Sequence, residues 1–222
     1  MAVTKPKRRQ GPGRPVKPLI SREAVVRAAV KLIDERGIVG LSVQAVAREI
    51  GVQAPSLYYH IKDREELLQM VAKELLREVG ESYHADADWE DQLIDLALAT
   101  RRVILHHANA APLMLRFFPR SLMLPAYEKT LSNCPYPPEH QAAVLDALEK
   151  LTYGASLFEA AAIAHHSPAM PDFDKTRFPH LAKALQLAPD DDETLFVETL
   201  RILFDGFRAR YTLSKKETEN DN

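Results

Sequence analysis

The chain has 222 residues, a single cysteine and a formal net charge of −2. That length holds one two-part domain or two small ones with a real core. Cys134, standing alone, excludes an internal disulfide and a cysteine-based zinc site, a usage that fits the cytoplasm. The basic N-terminus leads into no apolar h-region and no apolar run approaches the length of a bilayer span, so the expectation is an unsecreted protein with no membrane partner.

The near-neutral total conceals an asymmetry. Residues 1–80 carry 15 Lys+Arg against 9 Asp+Glu, and residues 81–222 carry 14 against 22. A basic front suits phosphate, whereas an acidic back repels nucleic acid and suits self-association or a small ligand. Apolar residues recur at spacings of three and four rather than two, which predicts an all-α fold.

In chain order, residues 1–20 hold six cations, no acid and four prolines, and read as a disordered arm. Ser21 is placed to cap a first helix whose Val25, Ala28, Ala29, Leu32 and Ile33 share a face, with Gly37 as its stop. Ser42 caps a second short helix, "VQAVAREI", and Gly51 supplies a tight turn. A third helix follows, with Leu57 and Ile61 turned inward and Pro55, Ser56, Tyr58, Tyr59 and His60 outward. Asp63 and Glu66 stand at capping-box spacing for a fourth. Two short helices joined by a glycine turn and braced on both sides describe a helix-turn-helix.

Beyond "GESYHADAD" the helices lengthen. One is predicted over roughly 88–109, followed by short segments broken around Pro112, Pro119 and Pro125. The most regular is 139–164, where Val144, Leu148, Leu151, Ala155, Phe158 and Ala162 alternate in steps of four and three, beside small Ala147, Gly154 and Ala161 at seven-residue spacing. A last helix spans about 191–211, and 213–222 is a polar tail.

In DNA-binding helix-turn-helix proteins the second short helix enters the major groove. Ser56, Tyr58, Tyr59 and His60 offer hydroxyl and imidazole groups to phosphates and bases, with Arg48, Lys62 and Arg64 flanking them as phosphate contacts. The pattern alone also admits a protein-binding adaptor that uses Tyr58 and Tyr59. An enzyme has no support: the chain lacks a Gly-rich phosphate loop, a G-x-S-x-G elbow and a metal-ligand pair. The two His-His pairs, His106–His107 and His165–His166, do not chelate as pairs, because adjacent helical side chains diverge by about 100°. No metal and no cofactor is expected.

The stretch "LSVQAVAREIGVQAPSLYYHIKDREELLQMVA", and within it "G-V-x-x-x-[ST]-L-Y-x-H", resembles the N-terminal domain of the TetR family of bacterial regulators, over about residues 21–72. The resemblance implies that Pro55, Ser56, Tyr58, Tyr59 and His60 lie on DNA, that Gln44 reaches a base or phosphate, and that Arg64 holds the DNA backbone. Ala54 departs from relatives with a longer polar residue there. In the arm, "GPGRPVK" is similar to minor-groove arms, and two readings stand: Arg14, helped by Arg8, Arg9 and Lys17, lies along a narrow groove, or the arm adds nonspecific attraction only.

The resemblance further implies homodimerisation through 139–164 and 191–211, and hence a pseudo-palindromic operator. The expected organisation is an arm (1–20), a helix-turn-helix domain (21–68), a ligand-binding and dimerisation domain (69–212) and a tail (213–222). The function implied is a ligand-responsive regulator, in first reading a repressor released from its operator by a small apolar or amphipathic molecule, with activation left open. Candidate ligand contacts are His107, Met114, Arg116, Phe117, Met123, Tyr127, Tyr153 and Phe158.

Overall fold

The computed structural model describes residues 20–82, 88–118, 120–168, 170–189 and 191–220. The expectations for the arm, Arg14 included, lie outside the described residues.

Helix α1, Arg22–Arg36, starts where the Ser21 hydroxyl accepts from the Ala24 N–H at 3.1 Å. A 3-10 turn, Ile38–Gly40, leads to α2, Val43–Ile50, which Ser42 caps in the same way through the Ala45 N–H. Gly51 ends α2 in the left-handed region (φ 78°, ψ 32°), with its N–H on the carbonyls of Ala47 and Arg48. Helix α3 is only Ala54–Leu57. The expected helix through Ile61 is thus shorter than its pattern: Tyr58, Tyr59 and His60 form a turn, closed by the N–H groups of His60 (2.8 Å) and Ile61 (3.0 Å) on the Leu57 carbonyl. Leu57 and Ile61 are both buried, as their spacing predicts.

Helix α4, Arg64–Ser82, opens with Asp63 accepting from the Glu66 N–H at 2.8 Å. Glu66 reaches back to the N–H of Lys62 rather than that of Asp63, at 2.6 Å, so the capping box closes one residue wider. The expected division at residue 68 falls inside this helix.

The remainder comprises α5 (Trp89–His106), α6 (Pro112–Arg116), α7 (Arg120–Ser132), α8 (Pro138–Ala164), α9 (Pro179–Gln186) and α10 (Asp192–Asn220). Helix α10 continues into the stretch expected to be a tail. Pro125 was expected to interrupt its segment but lies inside α7, which buries none of its side chains.

Two cores meet along α5. One gathers α1, α2, Leu57, Ile61 and α4 with Ala99, Val103, Leu113 and Met114. The other joins Leu93, Ile94 and Ala97 of α5 to Val144 and Leu148 of α8 and Phe196, Leu200 and Phe204 of α10. Arg101 crosses the second junction as a buried cation, 2.5 Å from Glu159 and 5.6 Å from the Phe196 ring centre. Among the described residues no helix is long and apolar enough to cross a membrane.

A methyl group at Gly51 would meet nothing within 4 Å. A Gly51→Ala exchange is therefore expected to cost only the left-handed backbone strain, about 1–2 kcal/mol, and Gly51→Asn about half that or less, since asparagine tolerates this region. Urea unfolding of the two variants checks the order.

Candidate DNA-facing surface and ligand cavity

The outward face of the helix-turn-helix is built by what lies under it. Leu57 and Ile61 anchor the turn from below, and the three residues between them are left outside: Tyr58 is 53% exposed, Tyr59 is 90% exposed and His60 is half-buried. Pro55 is exposed and Ser56 half-buried on the α3 side, and Gln44 is exposed at the start of α2. Lys62 and Arg48 are exposed at the two flanks. The structure thus brings Gln44, Pro55, Ser56, Tyr58, Tyr59, His60 and Lys62 to one end of the domain. Ala54 is half-buried against the core there, so that position offers packing rather than a polar group.

Arg64, expected at the DNA backbone, is exposed and bonds within the chain. Its Nε donates to the Leu41 carbonyl at 2.9 Å and one Nη to the Ile38 carbonyl at 2.7 Å. The guanidinium ties the start of α4 to the 3-10 turn and so fixes the entry to α2. Neighbouring pairs do similar work: Lys31 meets Glu49 at 2.6 Å between α1 and α2, and Arg22 meets Glu66 between α1 and α4.

Between α4, α5, α7 and α8 lies a cavity of about 290 Å³. Leu93, Leu96, Ala97, Phe118, Met123, Leu145 and Leu148 give it apolar walls, and Trp89 closes one side. Several of its polar side chains already have partners: Trp89 Nε1 donates to the Thr130 carbonyl (2.9 Å), Thr100 to the Leu96 carbonyl (2.8 Å) and Asn133 to the Lys129 carbonyl (3.0 Å). Tyr127, Glu149 and Tyr153 also line it. The Tyr127 hydroxyl is buried without a hydrogen-bond partner in the structure. Burial, with the Glu149 carboxylate close by, holds this phenol above its ordinary range, and burial does the same to Tyr153 more strongly.

Of the eight predicted ligand residues, Met123, Tyr127 and Tyr153 line this cavity. The other five stand elsewhere. Met114 is 2% exposed in the core shared by α4 and α6, and Phe117 packs on the same core. Arg116 pairs with both carboxylate oxygens of Glu65 at 2.9 Å. Phe158 projects from the outer side of α8, 79% exposed. His107 is buried at a joint between helices. Periodicity placed the aromatics on helices without saying which side faced a void, and it passed over Trp89, Leu96 and Glu149. Trp89 and Glu149 were the recoverable ones, as the single tryptophan and an acid on an otherwise apolar stripe of α8.

The His107 joint connects the two halves. Its Nδ1 lies 2.9 Å from Asp34 of α1 and its Nε2 3.2 Å from Glu78 of α4. Asn109, two residues on, donates to the Asp34 carbonyl at 2.8 Å. The turn after α5 is thereby tied to the end of α1 and to α4. Hydrogen bonding to Asp34 is the main cause that raises the His107 pKa above its usual value, against the opposing effect of burial.

A helix-turn-helix with an exposed aromatic turn, joined by α4 and α5 to a helical body with its own cavity, defines a class: a DNA-binding regulator with a separate ligand chamber. The family description "Bacterial regulatory proteins, tetR family" matches residues 25–71, and "Tetracyclin repressor-like, C-terminal domain" matches residues 84–211. The chain is 31% identical over 204 residues to the tetracycline repressor protein class D of Escherichia coli, covering 87% of this chain and 91% of that one. The chain belongs to the TetR family. The solved structure of a TetR from Streptomyces coelicolor superposes with a TM-score of 0.70 at 24% identity, covering 87% of this chain and all of that one. A structure of BioQ with its double-stranded DNA operator gives a TM-score of 0.55 at 24% identity, over 82% and 98% of the two chains. Both share the fold.

The raised His107 pKa sets the sign of a pH effect. Protonated His107 is favoured in the fold, so its contribution is complete below the unfolded pKa and is lost as pH rises through the folded one. His107→Gln is therefore expected to lower the melting temperature most at pH 6, by about 2–4 °C per kcal/mol for a chain of this size. The gap between the wild type and the variant should narrow toward pH 9, and melting curves at both pH values check this.

Proposed function

We propose that this protein is a ligand-responsive, DNA-binding transcriptional regulator that acts as a homodimeric repressor and leaves a pseudo-palindromic operator when a small molecule fills the cavity between α4, α5, α7 and α8. The observation that carries the reading is the Tyr58–His60 turn: aromatic and hydrogen-bonding side chains held outward by a buried Leu57 and Ile61, in a domain that matches a DNA-binding family. A relative that aligns with this chain over 204 residues is by name a tetracycline repressor. Gln44, Pro55, Ser56, Tyr58, Tyr59 and His60 form the proposed DNA contact, with Lys62 on phosphate and Arg64 holding the scaffold behind it. Met123, Tyr127 and Tyr153 are the proposed ligand contacts retained from the sequence.

The dimer rests on the outer faces of α8 and α10. Phe158 and Ile163 of α8 and Leu195 and Ile202 of α10 are exposed, and Gly154 and Ala161 beside Phe158 leave room for close approach of another helix. A two-fold pairing of these faces gives a four-helix bundle and sets two recognition turns on one side of a duplex. Ligand occupancy then shifts the population between an arrangement that matches the operator spacing and one that does not. The joint at His107 and the Met114 contact of α6 with α4 are the links that carry this shift. The protein needs no catalytic step for that role.

Selection from a random double-stranded DNA library tests the reading. The wild type is expected to enrich a two-fold-related site and the Tyr58→Ala, His60→Ala double variant to lose it. Absence of enrichment at low salt would remove the regulator reading in favour of a protein-binding face. On the selected site, Lys62→Ala should lower the slope of log affinity against log salt by about 1.

For the dimer, Phe158→Glu places a charge in the proposed interface. The expected outcome is a monomer by light scattering at micromolar concentration, with an unchanged helical circular dichroism spectrum because Phe158 lies outside the monomer core.

A further inference from the structure

The cavity has one polar corner. Glu149 of α8 lines it together with Tyr127 and Tyr153, and the two phenols and the carboxylate lie near enough to bear on one another electrostatically. Both phenols are held neutral, so each offers an oxygen to accept and a hydrogen to donate. The corner therefore presents a carboxylate, an unpartnered hydroxyl and aromatic rings. Phe118 and Tyr153 meet edge to face there, with centres 5.0 Å apart and planes at 85°.

One cation of the chain already serves this corner from outside. An Nη of Arg120 lies 3.4 Å from Glu149, and its guanidinium carbon sits 5.4 Å from the centre of the Phe118 ring. A carboxylate on one side and an aromatic face on another is how a positive charge is held at an apolar site. Yet the hold is loose: the Arg120 side chain is 70% exposed and its distance to the carboxylate exceeds that of a good charge-assisted hydrogen bond. Arg120 is also the first residue of α7, the wall helix with no buried side chain.

We propose that the cavity takes an amphipathic cation, a protonated amine on an apolar or aromatic body, whose charge replaces that of Arg120 at Glu149. This rests on the ligand-responsive reading above and names the ligand class. The apolar body lies among Leu93, Leu96, Met123 and Leu148, and the ammonium group donates to Glu149 and to the orphaned Tyr127 oxygen. Lys129, the other cation on the wall, is exposed and its charge can stay in water. Release of Arg120 frees the start of α7, which follows α6, so occupancy of the corner reaches the α6–α4 contact through the chain itself. An acidic ligand would be drawn instead to Arg120 and Lys129, and a neutral one would leave the Glu149–Arg120 pair in place.

The test uses the full chain without DNA. Trp89 is the only tryptophan and lines the cavity, so its fluorescence reports filling directly. Three probes of one shape are titrated: 4-phenylbutylamine, 4-phenylbutan-1-ol and 4-phenylbutanoate. The amine is expected to bind roughly tenfold more tightly than the alcohol, with the acid weakest. Glu149→Gln should erase that order, and Arg120→Gln, a change at an exposed site, should strengthen the amine by removing its internal competitor. Equal or tighter binding of the acid or the alcohol, an order that survives Glu149→Gln, weaker amine binding in Arg120→Gln, or no saturable response to the amine would each overturn the proposal. Operator release is measured separately. An amine that fills the cavity without releasing DNA removes the regulator reading and leaves the ligand class, whereas release by the acid alone does the reverse.

Discussion

The recognition surface depends on the burial of two side chains. A helix of four residues has no stability of its own, because nucleation costs more than so few hydrogen bonds return. Helix α3 exists because Leu57 and Ile61 are almost wholly withdrawn from water, each by about 1.5–3 kcal/mol of transfer free energy. They close a core with Leu32 and Ile33 of α1, Val46 of α2 and Leu67 of α4. What lies between the two anchors is then forced outward. The exposure of Tyr58 and Tyr59 is thus a consequence of packing on the other side of the backbone. Arg64 and the Asp63–Glu66 box add direction, because they fix where α4 begins relative to the turn before α2.

The cavity meets this half through α4, whose Leu76, Val79 and Gly80 line it, and through the joint between the halves. That joint mixes apolar and polar links. Met114, Leu113 and Val103 extend the core of the DNA-binding half into the body, which favours one docking but permits small sliding. His107 is more exacting, since its two ring nitrogens address α1 and α4 at once. A shift of α4 against the turn after α5 therefore breaks a hydrogen bond at a buried imidazole.

Most of the fold was legible because local rules and burial agree. Ser21, Ser42 and Asp63 cap where the capping rule puts them, and Gly51 is left-handed where a tight turn needs it. The extent of α3 was not legible: Leu57 and Ile61 have helical spacing, but a turn keeps the same two residues inward, so periodicity cannot tell the two apart. Pro125 misled for a related reason. A proline is costly where a helix is packed on all sides, and α7 lies on the surface with one N–H fewer to satisfy. The outward face of the turn was legible in one short, self-contained stretch. The cavity was not, because it is a property of how α4, α5, α7 and α8 are spaced, and a sequence pattern records which residues are apolar without recording where the helices part. Phe158 shows the limit: it shares the stripe of α8 with Leu148 and Leu151, yet it stands on an edge of the helix that the rest of the chain leaves exposed.

The charge asymmetry acquires a physical location in this arrangement. The basic excess of residues 1–80 belongs to the six cations of residues 1–20, outside the described residues, while residues 21–80 carry 9 Lys+Arg against 9 Asp+Glu, with Arg48 and Lys62 exposed among them. In the body the acids are distributed between pairs that hold helices together, such as Glu159 with Arg101 and Glu193 with Arg102, and a carboxylate that faces a void. Glu149 belongs to the last kind. A carboxylate bordering an apolar cavity is costly unless a cation accompanies it, and here the accompanying cation comes from the most weakly packed helix of the cavity wall. That combination ties the order of α7 to the charge balance of one corner. Whatever molecule alters that balance alters a wall helix first, and through α6 the helix that carries the DNA-binding half.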